Sequence, residues 1–348
     1  MKKIAIITSG GDAPGMNAAI TAVVKAAARR GIECIGIKRG FNGLLTISAD
    51  NQKDLMHFDL ETVLDNADRP GTQLRTARCD DFRKPEFQKK GADTLRELGV
   101  DAVVVIGGDG SFQGALRLVE QGIPCVGIPG TIDNDLAYTE MPLGYDSAVN
   151  SCVEDIRALR ATSRSHDRPA VVEVMGRHCG DIALKAAAGT GAEICIVPEV
   201  EWSVTEVADR LSRLIEGGNP RATIVVAEGA FASMKAYDWK YTLRQHNLRV
   251  HDDDPISTRF LTRTLRCLTG CEARTTILGY TQRGRQPSAY DSWFAFEAGN
   301  LAVNLLRNGI GNQVIGIRDG RVFFLPIQMA LKEKREFNRA LYEMINEM

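Results

Sequence analysis

The chain has 348 residues, 44% hydrophobic and 25% charged, with a formal net charge of −1. That length exceeds a usual single core and predicts two domains, and the composition excludes a disordered or fibrous chain. Near-neutral charge excludes a global pull toward nucleic acid or an anionic membrane, so an anionic ligand needs local basic sites.

In chain order, Met1-Lys2-Lys3 has the charge of a leader peptide, but the apolar run at 4–7 breaks at Thr8-Ser9-Gly10-Gly11. It therefore reads as a first strand. Further short runs rich in Val and Ile lie at 35–37, 103–106, 126–128, 171–174, 194–197, 224–227, 276–278 and 314–317. Helical segments are expected at 17–30, 87–98, 112–120, 145–160, 204–216 and 292–307. Strands apolar on both faces belong in parallel sheets covered by helices, so the expected class is α/β, doubly wound. No apolar stretch reaches the ~18 residues that a membrane span requires. Residues 232–271 carry aromatics, many arginines and the acidic run Asp252-Asp253-Asp254-Pro255. They read as a surface insertion, with a turn at Asp254-Pro255 into a helix near Ser257.

The eight cysteines (34, 79, 125, 152, 179, 195, 267 and 271) form no CxxC and no disulfide-framework spacing. A reduced, cytosolic protein without a zinc site is expected. Cys267 and Cys271 are spaced to share a helix face, although two idle thiols are the better reading.

Ligands of doubly wound sheets sit at the carboxyl ends of strands. Three of those ends carry glycine-rich loops, which let a phosphate approach backbone N–H groups ahead of a helix N-terminus. In the first, residues 9–17, Met16 stands where a P-loop has its lysine, which excludes a Walker ATPase. By itself this loop also fits a plain strand-to-helix turn. The second, residues 107–111, places Asp109 among phosphate-binding glycines. That is electrostatically unfavourable unless Mg²⁺ lies between, held by one or two carboxylates and substrate phosphates. The plainer reading of Asp109 is a helix N-cap. The third, residues 129–135, contains Asp133 and Asp135, spaced to lie on one side of an extended segment. Phosphoryl transfer to a hydroxyl needs a carboxylate at the acceptor and cation-held charge at the donor. One Asp suits the first task, the other supports a metal or orients the loop; the plainer reading is an Asx-turn cluster.

The segments TSGGDAPGMNAAI, VVIGGDGS, GIPGTIDND, SHDRPAVVEVMGRHCGD, VPEVEW and ILGYTQRG, in this order, resemble bacterial ATP-dependent 6-phosphofructokinase (the phosphofructokinase A family). The resemblance runs from Lys2 to about Glu228 and resumes at Arg274. It implies transfer of the γ-phosphoryl group of MgATP to the 1-hydroxyl of fructose 6-phosphate. Asp133 would then be the general base, and Asp109 would hold Mg²⁺ with Asp135 in support. Thr131 and Arg177 would contact the phosphoryl group in flight. Gly11, Arg78, Cys79, Gly108, Asp109, Gly110 and Ser111 would line the nucleotide site, with Phe41 packed on the adenine. Met175, Gly176, Arg177, Glu228 and Arg283 would hold the sugar phosphate, with Tyr280 beside its 6-phosphate. Arg168 and Arg274 would reach in from a neighbouring subunit of a homotetramer. The expected nucleotide domain is 1–138 plus 283–332, and the sugar-phosphate domain is 139–282 plus 333–348.

Pyrophosphate-using relatives carry Asp where this chain has Gly110 and Lys where it has Gly130, so the resemblance implies ATP as donor. Tyr280 replaces the usual histidine, as in the pyrophosphate users, and Arg285 replaces a second glycine. Thr21, Gly217 and Asn219 replace basic residues of the family's effector site, while Lys25, Arg160 and Glu193 remain. That implies weak or absent response to ADP or phosphoenolpyruvate. The alternatives are a pyrophosphate-dependent enzyme and a catalytically inactive regulatory subunit. Such a subunit should have lost Asp109, Asp133 or Arg177, and all are present. An NAD or lipid kinase shares only the GGDG loop.

Overall fold

A computed structural model describes residues 1–235 and 256–347. The chain divides into two compact units, Met1–Ala148 with Arg283–Arg335, and Val149–Gln282 with Glu336–Met348. The first boundary lies at 148, beyond the expected 138, because the intervening residues are tied into the first unit. The Ile317 amide donates to the Thr139 hydroxyl at 3.0 Å, and Leu143 bridges Gly130.

Among the described residues the first unit holds a seven-stranded sheet in the order β11-β10-β5-β4-β1-β2-β3. Its strands are β1 (Lys3–Ser9), β2 (Glu33–Ile37), β3 (Leu55–His57), β4 (Ala102–Gly107), β5 (Cys125–Pro129), β10 (Gln313–Arg318) and β11 (Arg321–Pro326). The four interior pairings are parallel, and only β3 and β11 run antiparallel, one at each edge. Every residue of β4 and β5 is buried, which is why those segments read as unbroken apolar runs. The helix Met16–Ala28 packs against the helix Ala289–Arg307, where Gly299 lets the backbones meet over Ala19 and Ala22.

The second unit holds a four-stranded parallel sheet in the order β7-β8-β6-β9: β6 (Ala170–Val174), β7 (Ile194–Ile196), β8 (Thr223–Ala227) and β9 (Arg274–Ile277). The doubly wound α/β expectation is met, and each expected strand and helix is present with ends shifted by a few residues. Two edge strands, β3 and β11, were not expected. Both are partly exposed; β3 is only three residues long, while β11 does carry the apolar run Val322-Phe323-Phe324-Leu325, which the sequence reading passed over.

Of the expected insertion, residues 236–255 lie outside the described residues, including the turn at Asp254-Pro255. A helix does run Thr258–Thr269, and the Ser257 side chain accepts the Phe260 amide at its start. It ends at Gly270, so Cys271 lies beyond it and does not share a helix face with Cys267.

Candidate active site

β1, β4 and β5 are neighbours in the sheet, so their three glycine loops stand side by side at one end of it. Short bonds hold them together. The Ser111 hydroxyl donates to the Ser9 carbonyl at 3.0 Å, the Gly130 amide to the Gly107 carbonyl at 2.9 Å, and the Thr76 hydroxyl to the Gly10 carbonyl at 2.8 Å. Each loop thus presents backbone at the positive end of a helix or next to one.

Asp109 is the first residue of the helix Asp109–Glu120, and Gly108 occupies the cap position. The N-cap reading of Asp109 is therefore corrected. Its carboxylate is exposed and accepts a bond from the Gln113 amide at 2.6 Å. Asp133, in contrast, is 5% exposed, and its amide donates to the Thr131 hydroxyl at 3.2 Å. Asp135 is exposed. The two acids do not share one side of an extended strand, because Asn134 between them adopts φ 53 and turns the chain. The segment therefore offers one sheltered carboxylate and one solvent-facing carboxylate.

The glycines expected to govern the donor differ in their surroundings. A Cβ at Gly110 would meet nothing within 4 Å, whereas at Gly130 it would press on Ile106 and Met16 at 3.1 Å each. A larger residue is thus sterically open at Gly110 and tight at Gly130.

Other expected nucleotide residues are placed unevenly. Arg78 is exposed, and its carbonyl accepts the Asn42 side chain at 2.7 Å. Cys79 is half-buried, and that burial raises its thiol pKa. Phe41 is 3% exposed and stacked on Phe82 with centroids 4.4 Å apart. In this structure it is a member of the hydrophobic core of the first unit. Arg283, expected with the sugar-phosphate residues, lies over the first loop: its guanidinium donates to the Asp12 carbonyl at 2.6 Å and covers Gly11.

In the second unit, Met175, Gly176 and Arg177 follow β6, and Glu228 follows its neighbour β8. The Glu228 carboxylate accepts both the Gly176 amide at 3.2 Å and the Arg177 amide at 2.8 Å. Those bonds hold a turn in which Gly176 and Arg177 both have positive φ, 136 and 52. The Arg177 side chain is left exposed. Gly229 is obligatory there, because a Cβ would land on the Arg177 carbonyl oxygen. The Met175 amide donates to the side-chain oxygen of Gln282 at 3.1 Å. Gln282 is wholly buried and was given no role from sequence; its place inside the TQRG segment was the available signal.

Tyr280 lies in the short helical turn Gly279–Gln282 after β9 and is 82% exposed. Arg168 and Arg274 flank the Glu272 carboxylate at 2.8 and 3.7 Å, and both side chains are substantially exposed. At the expected effector residues, Glu193 is engaged by Arg160 at 3.1 Å, by Asn219 at 3.0 Å and by the Thr223 amide at 2.7 Å. Thr21 is buried with its hydroxyl on the Val63 carbonyl. Among the described residues no cluster of three or more His, Cys, Asp or Glu could hold a metal, and no helix is long and apolar enough to cross a membrane.

The family model described as Phosphofructokinase matches residues 3–306. The chain belongs to the phosphofructokinase family. Among its relatives is the ATP-dependent 6-phosphofructokinase of Clostridium tetani, 45% identical over 344 residues, covering 99% of this chain and 98% of the relative. Among solved structures, phosphofructokinase from Saccharomyces cerevisiae superposes with TM-score 0.83 at 32% identity. It aligns with 99% of this chain, which spans 50% of that chain's length. A pyrophosphate-dependent phosphofructokinase from Marinobacter aquaeolei superposes with TM-score 0.81 but is 18% identical, covering 98% of this chain and 86% of that one. The relative named for ATP is thus 45% identical to this chain, whereas the structure named for pyrophosphate is 18% identical and shares the fold alone.

Proposed function

We propose that this phosphofructokinase transfers the γ-phosphoryl group of MgATP to the 1-hydroxyl of fructose 6-phosphate, giving fructose 1,6-bisphosphate and ADP. The observation that carries the reading is the pair of unlike carboxylates on adjacent loops, sheltered Asp133 and solvent-facing Asp109. Asp133 takes the proton of the 1-hydroxyl, which makes the oxygen a nucleophile. Its shelter keeps water from competing for that contact. Thr131 hydrogen-bonds the phosphoryl group in flight, and Arg177 supplies fixed positive charge as the transition state develops.

Asp109, with Asp135 in support, suits Mg²⁺, since this ion is bound through one or two carboxylates plus substrate phosphates rather than by a closed protein cage. When bound, Mg²⁺ neutralises charge on the donor phosphates. Gly11, Arg78, Cys79 and residues 108–111 line the nucleotide side. Met175, Gly176, Glu228 and Arg283 serve the sugar phosphate, with Tyr280 donating a hydrogen bond at the 6-phosphate in place of a cation.

The exposed side chains of Arg168 and Arg274 support their reaching a neighbouring subunit, as in a homotetramer whose sites are shared. A cytoplasmic location fits this activity. No nucleic-acid or membrane partner is proposed. The engagement of Glu193 and the burial of Thr21 support an effector response that is lost: titrating ADP or phosphoenolpyruvate at subsaturating sugar phosphate should give a flat rate, and a several-fold shift in apparent affinity would contradict this.

Tyr280 favours a second reading, with pyrophosphate as donor, and Gly110 and Gly130 oppose it. The deciding experiment is fructose 1,6-bisphosphate formation with Mg²⁺ and either ATP or pyrophosphate. Product with ATP alone supports the proposal, product with pyrophosphate alone replaces the donor, and product with neither returns the inactive-subunit reading.

A further inference from the structure

Asp291, in the first turn of the helix Ala289–Arg307, is 0% exposed and has no part in the chemistry above. A carboxylate in the interior is costly unless donors surround it. Here one oxygen accepts the Gly144 amide at 2.8 Å. The other accepts the Ser147 amide at 2.9 Å and the Ser147 hydroxyl. The Ser147 hydroxyl in turn accepts the Ser288 amide at 2.8 Å, and the Ser288 hydroxyl accepts the Asp291 amide at 3.2 Å, closing a knot. Gly144 and Ser147 flank the start of the helix Tyr145–His166. Asp291 thus does a capping residue's work from another helix, at a place where Gly144 has no side chain to do it.

The clamp lies one residue from the segment that carries the chemistry. Leu143 is paired on both sides with that segment: its amide donates to the Pro129 carbonyl at 2.8 Å, and its carbonyl accepts the Thr131 amide at 3.1 Å. Leu143 and Gly144 also floor the first glycine loop. A Cβ at Gly15 would meet Leu143 at 2.7 Å, and one at Gly144 would meet Ala13 at 2.6 Å. A displacement at Gly144 is therefore felt by Thr131, by Asp133 two residues on, and by the loop at 9–17.

We propose that Asp291 is a positioning residue for the reaction, holding Leu143–Gly144 so that Thr131 and Asp133 keep their register against the first glycine loop. This rests on the reading of residues 129–135 as the catalytic segment. A carboxylate that only stabilised the helix pair would affect folding and leave turnover of the folded enzyme alone.

The test is steady-state kinetics and amide hydrogen exchange on Asp291→Asn in the full-length protein, with Asp133→Asn as control. In Asp291→Asn an NH₂ group faces donors that need an acceptor. The expected result is a fall in kcat of about tenfold to hundredfold, the scale of a small misplacement of reacting groups. Half-saturation for both substrates should stay within about threefold, with faster exchange at the Leu143 and Thr131 amides than in β7 and β8 of the other unit. Wild-type kcat in folded Asp291→Asn overturns the proposal. So does exchange that rises evenly through the chain. If Asp291→Asn does not fold, Ser147→Ala keeps the carboxylate and both amides, and should still lower kcat about two- to tenfold with the same local exchange. Wild-type values there overturn the proposal as well. Asp133→Asn with undiminished turnover would remove the catalytic segment itself. A dead Asp133→Asn beside a wild-type Asp291→Asn would sink the clamp alone.

Discussion

Asp109 and Asp133 are the same side chain on neighbouring loops, one facing solvent and the other sheltered. Asp133→Asn removes a proton acceptor without changing shape, so kcat should fall by about 10²–10⁴, the usual effect of losing a general base. Circular dichroism should be unchanged, and a wild-type rate would remove Asp133 from the role. Gly110 gives a second residue-scale prediction. The space beside it is open, so Gly110→Asp should fold normally. A carboxylate facing donor phosphates costs on the order of 1.4 kcal/mol or more, so ATP-supported turnover should fall roughly tenfold or further. A full rate with ATP would mean that Gly110 does not select the donor. At this scale the sequence was legible for the glycine loops, which follow β1, β4 and β5 as the apolar runs imply. It was less so for their acids, since Asn134 turns the chain between Asp133 and Asp135. The surroundings of Phe41 and Arg283 were not legible, because they come from residues far along the chain, Phe82 against one ring and Asp12 under one guanidinium.

At the scale of elements, the helix Val204–Glu216 is defined by its own residues. Ser203 and Glu206 form a capping box, each side chain bonded to the other's backbone amide. Ser203→Ala should cost about 1 kcal/mol, read as a lower denaturation midpoint at unchanged activity; no change would mean that the cap is dispensable in this context. Local signals of this kind placed every strand and helix that was expected. The edges of the sheets needed partners instead. The exposed side of β7 is covered by the C-terminal helix Arg339–Glu347, whose Asn346 both accepts from the Cys195 amide and donates to the Cys195 carbonyl, at 3.1 Å each. One side chain thus replaces a missing strand and blunts an edge that would otherwise template pairing.

At the scale of the whole molecule, the buried carboxylate of Asp291 links stability to pH. Burial raises its pKa from 3.8 to about 6, and the neighbouring charge of Asp146 adds to this, while bonds from Ser147 and Gly144 oppose it. A carboxylate raised in the folded state holds its proton more tightly there than in the unfolded chain. Its stabilising contribution is therefore complete below about pH 4 and is lost as pH rises through 6. The loss is roughly 3 kcal/mol at 1.36 kcal/mol per tenfold change in acidity. Unfolding free energies of wild type and Asp291→Asn should accordingly converge or cross in the variant's favour between about pH 4 and pH 7. A constant difference across that range would show that Asp291 does not titrate there.

Residues close together in the chain are enough to give the class of fold, most of its strands and helices in their order, and the glycine-rich loops that follow β1, β4 and β5. Those features depend on periodicity and on backbone freedom, which neighbours in the chain decide. Only the packed molecule shows which of two aspartates is sheltered, that residues 139–148 belong with the first unit, and that Asp291 stands behind the segment 129–135. The last two depend on contacts between residues more than a hundred positions apart, Asp291 with Gly144 and Ile317 with Thr139, and no local pattern in the sequence encodes the burial of a carboxylate.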